Sequence, residues 1–398
     1  MMRALLLLLT ACVAPLEDDL ELIETTPVET TLGSAELAET ADTWLDMIAS
    51  AETSLDGAFF YASNEPGSRL ETVVQAVEAA AARGVRVRFL ADVKFQKTYP
   101  ATLARLDAAE NVEVRLYDLS EATGGVLHAK YLVVDGREAY LGSANFDWRA
   151  LEHIQELGLR VRAPRLARDL QSVFDSDWRF AGGESAPAEA AAPAGGDAPD
   201  AVTFAGAEVR AHLVASPKTM LPDGVAWDLP ELLAAIDGAQ SEVRVQLLSY
   251  STSNYDKTYF AALDDALRAA ATRGVQVKLL LADWAKRPWQ IEPLKSLAVL
   301  RNVEVRLATV PQSTTGYVPF ARVVHAKFLV ADGRVAWVGT SNWSEDYFTK
   351  SRNVGLLIEG EAFGTELAAF HERTWASDYV ETVDPSKDYV APQFGEKE

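Results

Sequence analysis

Apolar residues recur along this chain in two alternating rhythms, one with the spacing of a helix and one with the spacing of a strand. Leu70, Val73, Val74 and Val77 fall on one face of a helix of about 3.6 residues per turn. Ser68 and Glu71 open that run as a capping box, in which side chains take up amides that a helix start leaves unpaired. The pattern predicts a helix stopping at Arg83-Gly84, where glycine can adopt the left-handed backbone that ends a helix. Alternation over residues 85–90 then predicts a strand. Further on, Phe260, Leu263 and Leu267 mark a matching helix with Arg273-Gly274 as its stop. Asp228, Pro230 and Glu231 start another. Helices alternating with strands imply an α/β layered fold.

The two stretches that share this rhythm also share sequence. Residues 82–87 (ARGVRV) recur as 272–277 (TRGVQV), and 111–116 (NVEVRL) recur as 302–307 (NVEVRL). Between the copies, residues 182–200 are rich in Ala, Gly and Pro and lack apolar periodicity, which reads as a linker. The predicted organisation is a tandem duplication. One domain covers 43–181, a second covers 201–380, and 381–398 form a tail.

Each copy carries His-x-Lys, an Asp five residues after the lysine, and Gly-x-x-Asn. The first set is His128, Lys130, Asp135, Gly142 and Asn145; the second is His325, Lys327, Asp332, Gly339 and Asn342. One such set would be a weak signal, whereas two with identical spacing inside an independent repeat are strong. Residues 128–134 and 325–331 read as strands ending in Asp-Gly turns, so each imidazole is expected on the same strand face as its lysine. Two such surfaces facing each other would collect two histidines, two lysines and two asparagines around one small volume. That inventory suits cleavage of a phosphodiester. Lys130, Lys327, Asn145 and Asn342 would hold the non-bridging oxygens and stabilise developing charge. One imidazole would attack phosphorus to give a covalent phosphohistidine, and the other would protonate the departing oxygen. Asp135 and Asp332 sit at turns and read as structural. A lysine beside each histidine disfavours a metal cation, so neither zinc nor another cofactor is expected. His153, His212 and His371 have no repeat counterpart and read as structural or surface residues. Trp148, Trp343, Tyr347 and Phe348 follow the motifs; they are expected in the core, with base stacking or a lipid channel as the alternatives.

The formal charge of −21 opposes binding of a polyanion until its distribution is considered. Glu17, Asp18, Asp19, Glu21, Glu24, Glu29, Glu36, Glu39 and Asp42 fall in a stretch without a basic residue, and the linker adds further acids. The acidity therefore resides largely outside the two copies, and a nucleic-acid ligand is not excluded, although no long basic stretch marks a track for one. The chain has one cysteine, Cys12, which precludes an intramolecular disulfide. It follows a short positive start and an apolar run too short to span a bilayer, and the Leu-x-Ala-Cys ending resembles a bacterial lipoprotein signal. On that reading residues 1–11 are the signal peptide, Cys12 is lipidated, and 12–42 form a solvated acidic tether holding the protein to the cell envelope. The alternative is a buried N-terminal helix with an incidental cysteine.

The doubled motif resembles that of the phospholipase D superfamily over residues 43–380. It is most similar to the branch of lysosomal phospholipase-D-like 5′ exonucleases and poxvirus envelope proteins. The passages that say so are GVLHAK (125–130), GSANFDWRAL (142–151), ELG (156–158), PFARVVH (319–325), GTSNWS (339–344) and YFT (347–349). The resemblance implies a metal-free phosphohistidine mechanism, and a bilobed α/β fold of two mixed sheets flanked by helices, with one active site at their interface. It also implies His128 as the nucleophile, His325 as the acid, and Glu156 as a carboxylate that orients a catalytic histidine. The position equivalent to Glu156 in the second copy is Asn353, so the site is expected to be asymmetric. An inactive relative kept for binding is a further alternative. The substrate implied is single-stranded nucleic acid attacked from its 5′ end, with membrane phospholipid as the alternative. A monomer is expected, with a homodimer as the alternative.

Overall fold

The computed structural model describes residues 17–185, 198–254 and 257–395. The signal segment with Cys12 and most of the linker lie outside them. The first half contributes strands β1 (Leu20–Thr25), β2 (Ala38–Glu39), β3 (Ser54–Phe59), β4 (Ala62–Ser63), β5 (Arg86–Asp92), β6 (Val112–Tyr117), β7 (Lys130–Val134), β8 (Glu138–Gly142), β9 (Phe146–Asp147) and β10 (Glu156–Val161). Its helices are α1 (Thr40–Ser50), α2 (Arg69–Ala82), α3 (Pro100–Asp107) and α4 (Pro164–Ala181). β4 and β9 pair separately; the rest form one mixed sheet in the order β2-β1-β10-β8-β7-β3-β5-β6.

The second half repeats this plan. Its strands are β11 (Asp200–Phe204), β12 (Ala207–Ser216), β13 (Ala226–Trp227), β14 (Glu242–Leu247), β15 (Gln276–Ala282), β16 (Val303–Ala308), β17 (Phe328–Ala331), β18 (Val335–Gly339), β19 (Asn353–Glu359) and β20 (Val380–Thr382). Its helices are α5 (Asp228–Gly238), α6 (Ala262–Arg273), α7 (Pro288–Ala298), α8 (Glu345–Thr349) and α9 (Glu361–Trp375). The main order is β11-β12-β19-β18-β17-β14-β15-β16-β20.

Local chemistry explains the shared elements. The Ser68 hydroxyl caps α2 by accepting from the Glu71 amide, and Gly84 and Gly274 end α2 and α6 with φ of 96° and 99°. Leu and Val side chains from the facing sides of both sheets, together with α4 and α9, form one shared core that includes Tyr131, Leu157, Phe174, Phe328, Leu356 and Phe370. Each fully buried aliphatic side chain contributes roughly 1.5–3 kcal/mol. The two halves are therefore held together by apolar burial along their whole common face. α1 and α2 cover the far side of the first sheet, and α5, α6 and α7 cover that of the second.

Two expectations need correction. Part of the predicted tether is a strand: β1 pairs antiparallel with β10 along its full length, occupying the place that β12 takes beside β19. Leu20, Leu22 and Ile23 are buried there, and Glu24 is buried too because Arg373 and the Ser34 amide satisfy it. The predicted tail is likewise ordered in part. β20 extends into it and pairs with β16, Val383 is buried, and Phe394 packs against Trp284 with ring centres 5.0 Å apart.

Candidate active site

Both motif histidines lie just before a strand, not within one. β7 begins at Lys130 and β17 at Phe328, shorter than the alternation predicts. The reason is that the backbone at each histidine bonds to the other half. The His128 amide donates to the Arg352 carbonyl at 2.9 Å, and the Arg352 amide returns a bond to Val126 at 2.9 Å. In the second copy His325 donates to the Gln155 carbonyl at 2.8 Å, and Gln155 returns a bond to Val323 at 3.0 Å. The same exchange thus occurs twice, related by the duplication. Gly125 lets the chains meet, since a Cβ there would sit 2.1 Å from the Lys350 carbonyl oxygen.

This exchange delivers each histidine to a partner from the opposite half. His325 Nδ1 lies 2.8 and 2.9 Å from the two Glu156 carboxylate oxygens. His128 Nδ1 lies 3.0 Å from Asn353 Oδ1. Behind them, Ser143 Oγ donates to Glu156 and Thr340 Oγ1 donates to Asn353. The Asn353 Nδ2 is committed as a donor to the Tyr347 carbonyl, so Oδ1 must accept from the histidine. His128 therefore carries its proton on Nδ1 and leaves Nε2 with a free lone pair. Burial holds this imidazole well below its usual pKa, and Lys130 and Lys327 push it in the same direction, so it is neutral. His325 and Glu156 are both pushed away from their charged forms by burial, which raises the Glu156 carboxyl to about 7. In contact, they hold a shared proton as one unit.

The lysines lie beneath the histidines. Lys130 and Lys327 are fully buried, and each ammonium donates to the carbonyl of its own motif histidine, the second at 2.5 Å. Burial pulls Lys327 down to about 7 and Lys130 well below its usual range. The site is thus short of negative charge, which an anionic phosphodiester would supply. His128, His325, Asn145 and Asn342 line one cavity of about 280 Å³. The Asn145 Oδ1 is buried without a hydrogen-bond partner among the described residues. No group of three His, Cys, Asp or Glu able to hold a metal ion occurs among the described residues.

A family model described as "Cardiolipin synthase, PLD-like domain" matches residues 44–178 and 232–375, one segment in each half. The chain belongs to the phospholipase D superfamily. The 5′-3′ exonuclease PLD3 of Rattus norvegicus is 35% identical over 382 residues, covering 88% of this chain and 77% of that protein. Phospholipase D Z of Dictyostelium discoideum is 32% identical and covers 85% of each chain. Among solved structures, phosphatidylserine synthase of Haemophilus influenzae Rd KW20 superposes with a TM-score of 0.61. At 12% identity, over 86% of this chain and 85% of that one, it shows the shared fold. Like its superfamily, the enzyme is a phosphodiesterase.

In this phospholipase D-like enzyme Asp135 and Asp332 lie away from the cavity. Each sits in an Asp-Gly turn at positive φ and gathers the start of a neighbouring strand. Asp135 accepts from Glu52, Thr53 and Ser54, and Asp332 from Gln240, Ser241 and Glu242. Trp343 and Phe348 are in the core. Tyr347 instead lines the cavity, its ring 4.8 Å from that of His128. The aromatic part of the remaining wall is Phe60, Tyr61, Phe95, Tyr99, Trp284 and Phe320, of which only Phe320 falls in a motif passage. Their signal was present but scattered. Residues 92–99 (DVKFQKTY) and 283–289 (DWAKRPW) follow equivalent strands and interleave aromatic with basic residues.

Proposed function

We propose that this enzyme shortens single-stranded nucleic acid from its 5′ end through a covalent phosphohistidine on His128. The observation that carries the substrate is the aromatic wall. Phe60, Tyr61, Phe95, Tyr99, Trp284, Phe320 and Tyr347 surround the paired histidines, and such rings stack unpaired bases without regard to sequence. Lys94 and Lys97 are exposed on either side of Phe95, placing cations at this mouth of an otherwise acidic chain. The names of the 5′-3′ exonuclease relatives support a nucleic-acid substrate attacked from its 5′ end.

The mechanism follows from the two partners. His128 Nε2 attacks phosphorus as its P–O bond to the leaving oxygen breaks, and His325 Nε2–H transfers its proton to that oxygen. His325, now unprotonated at Nε2, takes a proton from water as the water oxygen attacks the phosphohistidine. The P–N bond then breaks and the cycle closes. Lys130, Lys327, Asn145 and Asn342 stabilise the charge on the non-bridging oxygens. A phospholipid substrate is the rival reading, favoured by the likeness to Phospholipase D Z and by the apolar part of the wall.

The deciding experiment incubates the protein, with chelator, with 5′-hydroxyl and 3′-labelled single strands and, separately, with phosphatidylcholine vesicles. Progressive shortening from the 5′ end is expected. Release of choline without any shortening would overturn the nucleic-acid reading. Loss of turnover on chelation would overturn the metal-free step. The lipid anchor at Cys12 is proposed alongside and is tested by Cys12→Ser, which should abolish acylation and membrane fractionation.

A further inference from the structure

Arg287 immediately follows the segment that carries Trp284 into the active-site cavity, and it is unlike the other cations around it. It is half-buried, and no carboxylate lies within ion-pair distance among the described residues; its Nε is buried without a hydrogen-bond partner. Its neighbour Lys286 is paired with Glu381 at 2.7 Å. The Arg287 guanidinium instead lies 3.9 Å from the centre of the Phe394 ring, with Trp289 and Trp284 at 5.8 and 5.9 Å. It also stands at the N-terminus of α7, where the helix dipole repels a cation. A partly desolvated guanidinium at the positive end of a helix is costly, and ring contacts offset that only in part.

We infer that Arg287, caged by Phe394, Trp289 and Trp284, binds an internucleotide phosphate of the substrate strand adjacent to the phosphodiester being cleaved. The inference rests on the nucleic-acid reading above. Trp284 belongs to both sites, since it lines the cavity of the histidines and packs against Phe394. A base seated against Trp284 would therefore hand its next phosphate to the guanidinium, which can bind it with two parallel N–H donors. The C-terminal segment takes part through Phe394, whose carbonyl accepts from the Phe320 amide at 2.5 Å on the same cavity wall.

The test compares wild type with Arg287→Gln on bis(p-nitrophenyl) phosphate, on thymidylyl-thymidine, which has one internucleotide phosphate, on a thymidine decamer across a salt series, and in binding to anionic phospholipid vesicles. The ratio of kcat/KM for the decamer over the one-phosphate substrate is expected to fall about tenfold in the variant. The slope of log KM against log salt for the decamer should shrink by about 0.7, the loss of one single-strand phosphate contact. A structural role would not change that slope. Arg287→Met, which preserves packing on Phe394, carries the same test if the glutamine variant folds poorly. Shortening of the decamer with an unchanged ratio and slope would overturn this inference alone. Hydrolysis of the nitrophenyl ester without shortening of any strand would remove the nucleic-acid reading and this inference together. An effect confined to anionic phospholipid vesicles would assign the cation to a lipid surface and overturn it as well.

Discussion

The two half-sites are built from one plan and differ in the side chain that meets each histidine. Around His325 the partner is a carboxylate, Glu156, while around His128 it is an amide, Asn353. Ser143 and Thr340 occupy matching positions behind them. The carboxylate favours the doubly protonated ring, which suits an acid; the amide fixes one tautomer without favouring charge, which suits a nucleophile. A second, deeper pair repeats the contrast. Arg352 of the second half makes a fully buried ion pair with Asp177 of the first, and the equivalent Gln155 and Thr374 make a neutral hydrogen bond of 2.8 Å. The duplication thus supplies equivalent positions, and exchange between halves lets each position acquire its own chemistry.

The largest effect should come from removing either histidine. His128→Ala and His325→Ala are each expected to lower kcat by roughly 10⁴-fold or more. Acid quench with a labelled phosphodiester separates their roles: phosphoenzyme should accumulate in the His325 variant and never in the His128 variant, and the opposite pattern would reverse the assignment. Next comes the carboxylate itself. Glu156→Gln removes the charge that stabilises protonated His325, so the proton leaves at lower pH. The alkaline limb of the kcat profile should shift down by at least about one unit, with kcat reduced about 10²-fold. Asn353→Asp should move the other histidine in the opposite sense, raising its pKa and shifting the acidic limb of kcat/KM upward.

Stability should follow the deeper pair. Asp177→Ala leaves Arg352 charged, buried and unpaired, and is expected to cost about 3–5 kcal/mol. Thr374→Val, at the neutral counterpart, should cost about 1 kcal/mol in the same urea titration. Equal losses would show that the ionic pair adds nothing beyond its counterpart. An effect between those two concerns the turn aspartates, both held at about 2 by hydrogen bonds to their carboxylates in spite of partial burial. Their folded pKa lies below the unfolded value of about 3.9, so each contributes about 2 kcal/mol above pH 4 that is lost as pH falls toward 2. Asp135→Asn should remove that contribution and flatten the acid limb of stability without displacing any cavity residue.

Much of this was legible in the sequence because it is encoded locally. The capping box at Ser68, the Gly84 and Gly274 stops and the two Asp-Gly turns depend on residues a few positions apart. Repetition made the motif residues readable as well. The strand β1 was not legible, because nine acids in its region obscured a short apolar alternation and nothing nearby announced that Glu24 would meet Arg373. The aromatic wall was missed for a related reason. Phe60, Tyr99, Trp284 and Phe320 lie far apart in the chain and carry no common spacing.

The sequence by itself determined a duplicated α/β chain with His, Lys and Asn twice over, since period and repetition are properties of neighbouring residues. It also showed that Glu156 has no carboxylate counterpart. Only the tertiary structure decided that Glu156 serves the histidine of the other half. That pairing depends on backbone bonds between residues 155 and 323–325 and between 126–128 and 352, and no spacing along the chain records a bond between segments of the two different halves.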